Sequence, residues 1–143
     1  MNSNPEDIAQ FEKSISTLKG MLLKLTGRPR VLIVEDDPND KFIFEREIRK
    51  FQCVYEFAED GQEAIQKIAS GSYDFVFLDM LMPKVGGSQV LQSTTNLKNG
   101  ARVIIVTGQS DAPWMPEALR GGADMALGKP ISFEKLKLFL TPI

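Results

Sequence analysis

The sequence predicts an α/β fold in which five strand-helix repeats wind around one open parallel sheet, with an extra helix ahead of them. Three observations carry that prediction. From Arg30 onward, apolar runs alternate with segments of helical period. Most of the apolar runs are continuous and β-branched, as in strands covered on both faces. The chain is 143 residues long, enough for one core and too short for two ordinary domains. The expected division is an amphipathic helix and linker over residues 1–28 and one sheet domain over residues 29–143.

The leading helix is marked by Asn4 as a cap, Pro5 at its first position, Glu6 and Asp7 in its first turn and Gly27 as its stop. Along it Ile8, Phe11, Ile15, Leu18, Leu22 and Leu25 recur at alternating steps of three and four, the pattern of a short coiled-coil seam. Gly20 costs about 1 kcal/mol of helix propensity, and a parallel pair would set Asp7 against Glu12. A second copy in a homodimer, the chain's own domain and another protein all remain open as the partner of this stripe. The strands are expected at residues 31–34, 53–57, 75–78, 103–106 and 125–127, with Cys53 a small buried residue of the second. Helix starts follow at Asp37 before Pro38, at Asp60 with Glu63 three residues on, and at Ser132 with Glu134 and Lys135 following. Gly71 reads as a stop for the helix after the second strand.

Composition removes several functions. The chain is 43% hydrophobic and 25% charged with a formal net charge of −2, so no basic excess draws in nucleic acid or an anionic membrane. One cysteine and no histidine exclude a disulfide framework, a zinc finger, a Ser-His-Asp triad and any histidine-held metal. No apolar run approaches the roughly 18 residues of a membrane span, and the first ten residues are polar and acidic. The cytoplasm is the expected compartment.

In an open parallel sheet, ligands sit at the carboxyl ends of the strands. The residues there are Glu35, Asp36 and Asp37 after the first strand, Asp79 after the third, Thr107 after the fourth and Lys129 after the fifth. Asp37 precedes a proline and reads as a helix cap. Glu35, Asp36 and Asp79 would then converge at one edge, where two unit charges 4 Å apart repel by about 4 kcal/mol at an effective dielectric near 20. Such a cluster takes up a proton, raises its pKa values or binds a cation, and an all-oxygen site with room for water and phosphate suits Mg²⁺. A solvated acidic loop is the alternative reading of Glu35 and Asp36. Asp79, held by the run Phe75-Val76-Phe77-Leu78, is placed as a carboxylate nucleophile toward phosphorus. Lys129 can pair with it, and Lys129-Pro130 is a candidate cis bond.

Four segments together resemble the receiver domain of two-component response regulators: VLIVEDDP at 31–38, FLDMLMPKVGG at 77–87, VIIVTG at 103–108 and GGADMALGKP at 121–130. The resemblance spans Arg30 to Leu140. It implies a flavodoxin-like (βα)5 three-layer sandwich of strand order 2-1-3-4-5. It also implies Asp79 as phosphoacceptor and Asp36, Asp79 and the Leu81 carbonyl as ligands of Mg²⁺ or Mn²⁺, with Glu35 a ligand or an acceptor for metal-bound water. Thr107 and Lys129 would contact the phosphoryl oxygens, while Met82, Pro83 and Gly87 would shape the rim. The implied donor is a phosphohistidine on a sensor histidine kinase or phosphotransfer protein. The domain would not be an enzyme but an acceptor that assists its own phosphorylation and dephosphorylation.

Two positions depart from the family's pattern. Ala126 stands where many receivers carry an aromatic residue that couples the threonine to the output face, and Gly86 stands where an aspartate is frequent. The chain ends about one helix after Lys129, so output is expected through an unnamed downstream protein. The expected surface lies after the fourth strand, where Pro113, Trp114, Met115 and Pro116 cluster; packing of Trp114 on the domain is the alternative. A haloacid-dehalogenase-type phosphatase would want a second aspartate where Leu81 stands, and a nucleotide-binding flavodoxin-like protein would not put Glu-Asp-Asp in its first loop. A receiver-like scaffold or dimerisation module, bound through the N-terminal helix and never phosphorylated, is the remaining alternative.

Overall fold

The computed structural model describes residues 4–80, 86–97, 100–108 and 115–143, leaving aside the side chains of residues 16, 17, 19–26 and 95–97. Leu81, Met82, Pro83, Pro113 and Trp114 therefore lie outside the described residues, as do the side chains of Leu22 and Leu25. Element order is α1 (Pro5–Thr26), β1 (Arg30–Val34), α2 (Pro38–Ile48), β2 (Val54–Ala58), α3 (Gly61–Ser70), β3 (Phe75–Leu78), α4 (Gly87–Leu97), β4 (Arg102–Thr107), α5 (Met115–Arg120), β5 (Met125–Gly128) and α6 (Phe133–Leu136).

Each expected start is made by a side chain that satisfies an orphan amide of the first turn. Asn4 Oδ1 accepts from Asp7 N at 2.8 Å, Asp37 Oδ1 from Asn39 N at 3.2 Å, Asp60 Oδ1 from Glu63 N at 2.8 Å and Ser132 Oγ from Lys135 N at 3.3 Å. Glu63 Oε2 in turn accepts from Glu59 N at 3.0 Å, tying down the chain just ahead of α3. Gly27 follows α1 at φ 73°, the left-handed conformation that favours glycine.

The five strands form one parallel sheet of order β2-β1-β3-β4-β5. Strand residues alternate between two cores. Leu32, Val34, Val76, Leu78, Val103 and Ile105 pack with Ala64, Ile68, Val90, Leu91 and Ala118 from α3, α4 and α5 on one face. Val31, Ile33, Phe77, Ile104, Val106 and Leu127 pack with Phe44, Ile48, Leu136 and Leu140 from the α2 and α6 side on the other. Phe77 is the hinge of that second layer, with its ring edge-on to Phe44 at 5.2 Å and to Phe139 at 5.9 Å. The result is the three-layer sandwich expected of buried parallel strands.

Two local expectations change. β2 begins at Val54, so Cys53 lies just outside the strand and is half-buried, with burial pushing its thiol up to about 11. Met115, read as part of a partner surface, is 7% exposed and belongs to the same core cluster as Val90, Leu91 and Ala118. The six-residue α5 has few positions with which to cover the sheet, and its first residue is one of the two it buries. On α1 the described members of the stripe face solvent: Ile8, Phe11, Ile15 and Leu18 are 47%, 66%, 37% and 63% exposed.

Candidate phosphoacceptor site

Backbone pairing brings the strand-end residues together. Val34 and Leu78 are register partners in β1 and β3, and the next amide along, Asp79 N, donates to Val34 C=O at 3.1 Å. Glu35 N likewise donates to Ala58 C=O at 3.0 Å, and Lys129 N to Thr107 C=O at 2.8 Å. With strands about 4.8 Å apart, the first residues past β1 and β3 are neighbours. Glu35, Asp36 and Asp79 accordingly place one carboxylate oxygen each within 4.8 Å of one another. Glu35 and Asp79 are buried and Asp36 is exposed, so the group opens to solvent on one side. Asp37 caps α2 and is not part of the group.

Lys129, next to the cis Lys129-Pro130 bond, reaches into this cluster. Its ammonium donates to Glu35 Oε1 at 2.7 Å, to Asp40 Oδ2 at 2.8 Å and to Asp79 Oδ2 at 3.5 Å. Asp40 was not singled out in the sequence, where it reads as an ordinary acid in the first turn of a helix. Thr107, 2% exposed, ends β4 beside Lys129. Gly87 sits against the same site from α4: a β-carbon there would meet Met80 Cα at 2.5 Å and the Asp79 carbonyl oxygen at 3.0 Å.

The electrostatics follow from three carboxylates gathered around one ammonium, with Asp36 beside them at the solvent side. Burial, and next the facing Asp79 carboxyl, push the Glu35 carboxyl up to about 8 against the opposing pull of Lys129. Burial alone would lower Lys129, yet Asp40 and Glu35 outweigh it and hold the ammonium's pKa above its ordinary value. For Asp40, burial is the largest single influence and raises it, but the hydrogen bonds with Lys129 and Glu35 and the Lys129 charge together outweigh it and hold its carboxyl below the usual range. Glu35 Oε2 is buried with no hydrogen-bond partner. A cation held by Glu35, Asp36 and Asp79 would satisfy that oxygen and relieve the repulsion, and the oxygen-only donor set suits a hard divalent ion. The residues present fit Mg²⁺.

The response regulator receiver domain family model matches residues 31–141. The chain belongs to that family. Among solved receiver domains, it resembles the response regulator protein TrrA from Thermotoga maritima, solved in complex with Mg(2+)-BeF. The two are 32% identical at a TM-score of 0.69, covering 77% of this chain and 94% of that one. The receiver domain of the Francisella response regulator 1452 is 28% identical at a TM-score of 0.67, covering 78% and 92%. Among curated relatives, the autoinducer 2 sensor kinase/phosphatase LuxQ of Vibrio vulnificus is 30% identical over 75% of this chain, which spans 13% of LuxQ's length. The response regulator MprA of Mycolicibacterium vanbaalenii is 31% identical over 75% of this chain, which spans 46% of MprA. Receiver domains are signalling domains, the phosphoacceptor switches of two-component systems, and they work with histidine kinases or phosphotransfer proteins. Among the described residues, no helix of this receiver domain is long and apolar enough to cross a membrane.

Proposed function

We propose that Asp79 is the phosphoacceptor of this receiver domain, taking a phosphoryl group from a phosphohistidine of a sensor histidine kinase or phosphotransfer protein in the cytoplasm. The observation that carries the reading is the placement of Asp79: 7% exposed, fixed at the end of β3, 3.5 Å from Lys129 and within 4.8 Å of Glu35 and Asp36 oxygens. Glu35, Asp36 and Asp79 would hold Mg²⁺, or Mn²⁺ in its place, and the resemblance to receiver domains implies the Leu81 carbonyl as a further ligand. The bound cation would neutralise charge on the transferring oxygens.

The chain's own groups do the rest. Asp79 is held still by its backbone, and one of its carboxylate oxygens forms the bond to phosphorus while the donor's bond to phosphorus breaks and its electron pair leaves with the donor. Lys129 stands ready to donate to a phosphoryl oxygen, and Thr107 is assigned the same task from the neighbouring strand end. The exposed stripe of α1 supports contact with a second copy of the chain, and output passes to a downstream protein, with Trp114 kept as a candidate contact.

Incubation with acetyl phosphate, with and without Mg²⁺, followed by intact-mass measurement tests the reading. Gain of one phosphoryl group that requires both Mg²⁺ and Asp79 is expected. No gain in wild type favours a scaffold acting through α1, and an equal gain in Asp79→Ala moves the acceptor to another residue.

A further inference from the structure

Lys129 is held at both ends. Lys135 Nζ donates to Gly128 C=O at 2.7 Å and to Pro130 C=O at 3.0 Å, so the backbone on either side of Lys129 is pinned by α6. The place of the ammonium is then set by the carboxylates it meets, and those are unequal. Asp40 Oδ2 is 2.8 Å away and Glu35 Oε1 2.7 Å, whereas Asp79 Oδ2 is at 3.5 Å, the outer limit of a hydrogen bond. Asp40 comes from α2, outside the group of three carboxylates suited to a cation.

We propose that Asp40 is a positioning residue that holds the Lys129 ammonium away from Asp79 and thereby slows phosphoryl transfer. The inference rests on Asp79 being the acceptor. During transfer from acetyl phosphate, an Asp79 oxygen bonds to phosphorus as the phosphorus-oxygen bond to acetate breaks, the electron pair leaving on acetate. Charge on the equatorial oxygens wants a cationic donor nearby, and Lys129 supplies it to the degree that its head group moves from Asp40 toward Asp79. Asp40→Asn keeps an acceptor oxygen of the same size and removes the charge that competes for the ammonium. The Lys129–Asp40 pair is 20% and 30% exposed, and the energies of partly screened pairs of this kind correspond to roughly a two- to fivefold change in rate.

The test measures the rate constant for phosphorylation by acetyl phosphate at saturating Mg²⁺ in the full chain. The variants are Asp40→Asn, Asp40→Glu, Lys129→Gln and the double variant Asp40→Asn/Lys129→Gln. Asp40→Asn is expected to react two to five times faster than wild type, Asp40→Glu to return toward wild type, and Asp40→Asn to have no effect once Lys129 is glutamine. An Asp40→Asn protein no faster than wild type overturns the proposal. So does equal acceleration in the Lys129→Gln background, which would mean that Asp40 acts on the donor through its charge alone. If wild type takes no phosphoryl group, the proposed function fails separately, and the ¹⁵N-¹H resonance of the Lys129 ammonium decides. A shift in Asp40→Asn restored by Asp40→Glu supports the positioning role, and an unmoved resonance overturns it.

Discussion

Removing divalent cations and raising the pH should weaken the folded protein, and the size of the effect is set by Glu35. In the fold its carboxyl is pushed up to about 8, first by burial and then by Asp79, from an ordinary value of 4.5. Between those two values the folded chain keeps a proton that the unfolded chain has lost, so stability falls as pH rises through the window. At roughly 1.4 kcal/mol per pKa unit, the loss from pH 5 to pH 8 is of order 3 kcal/mol. The window is clean. The chain contains no histidine, and Cys53 is pushed up to about 11. Asp40, Glu47 and Glu56 are all lowered, so the stability they contribute is complete above their ordinary values and is lost only on acidification. Lys129 is raised, so its contribution persists past pH 8. Urea denaturation in EDTA at stepped pH values reads the slope directly. Glu35→Gln should abolish it, Asp79→Asn should shrink it, and saturating Mg²⁺ should flatten it by binding the ionised carboxylates. Stability in EDTA that stays flat or rises from pH 5 to pH 8, or an undiminished slope in Glu35→Gln, would refute the account of the cluster.

Three further outcomes are expected. Gly87→Ala drives a methyl group into the Met80 backbone at 2.5 Å and should cost about 1–3 kcal/mol in denaturation while slowing phosphorylation, because the strained backbone carries Asp79. With Ala126 in β5, a beryllofluoride phosphoryl mimic should leave the amide chemical shifts of α5 and β5 similar to those of the unmodified protein, and large shifts there would contradict a muted conformational change. Contact between two copies through α1 predicts a sedimentation mass that rises with concentration in wild type and stays monomeric in a Phe11→Ser/Leu18→Ser variant; a wild type monomeric throughout would remove the homodimer.

Much of this architecture was legible because its signals are local. Continuous β-branched runs, and caps at Asn4, Asp37, Asp60 and Ser132, each act within a few residues, and their predicted places match the structure to within a residue or so. The strand order came from the family resemblance, since periodicity does not order strands. The site was readable for a geometric reason: the residue after a parallel strand lies at the sheet's edge, so Glu35, Asp79 and Lys129 were named by position alone. Asp40 was missed because its role depends on Lys129, 89 positions away, and an acid in a first helical turn is already explained by the helix dipole. Lys135 was noticed only as part of a helix start, because its hold on the Gly128 and Pro130 carbonyls is a tertiary fact. Met115 went wrong for a related reason: a short helix start rich in proline and bulky residues looks like a surface feature until the sheet beneath it is seen to need cover.

The most direct test of the account locates the phosphoryl group. After phosphorylation with acetyl phosphate and Mg²⁺, borohydride reduces an aspartyl phosphate to homoserine, which peptide mass spectrometry places in the sequence. Homoserine at position 79 alone is the predicted result; homoserine at position 36 or 37, or none in protein that has gained a phosphoryl group, would contradict it.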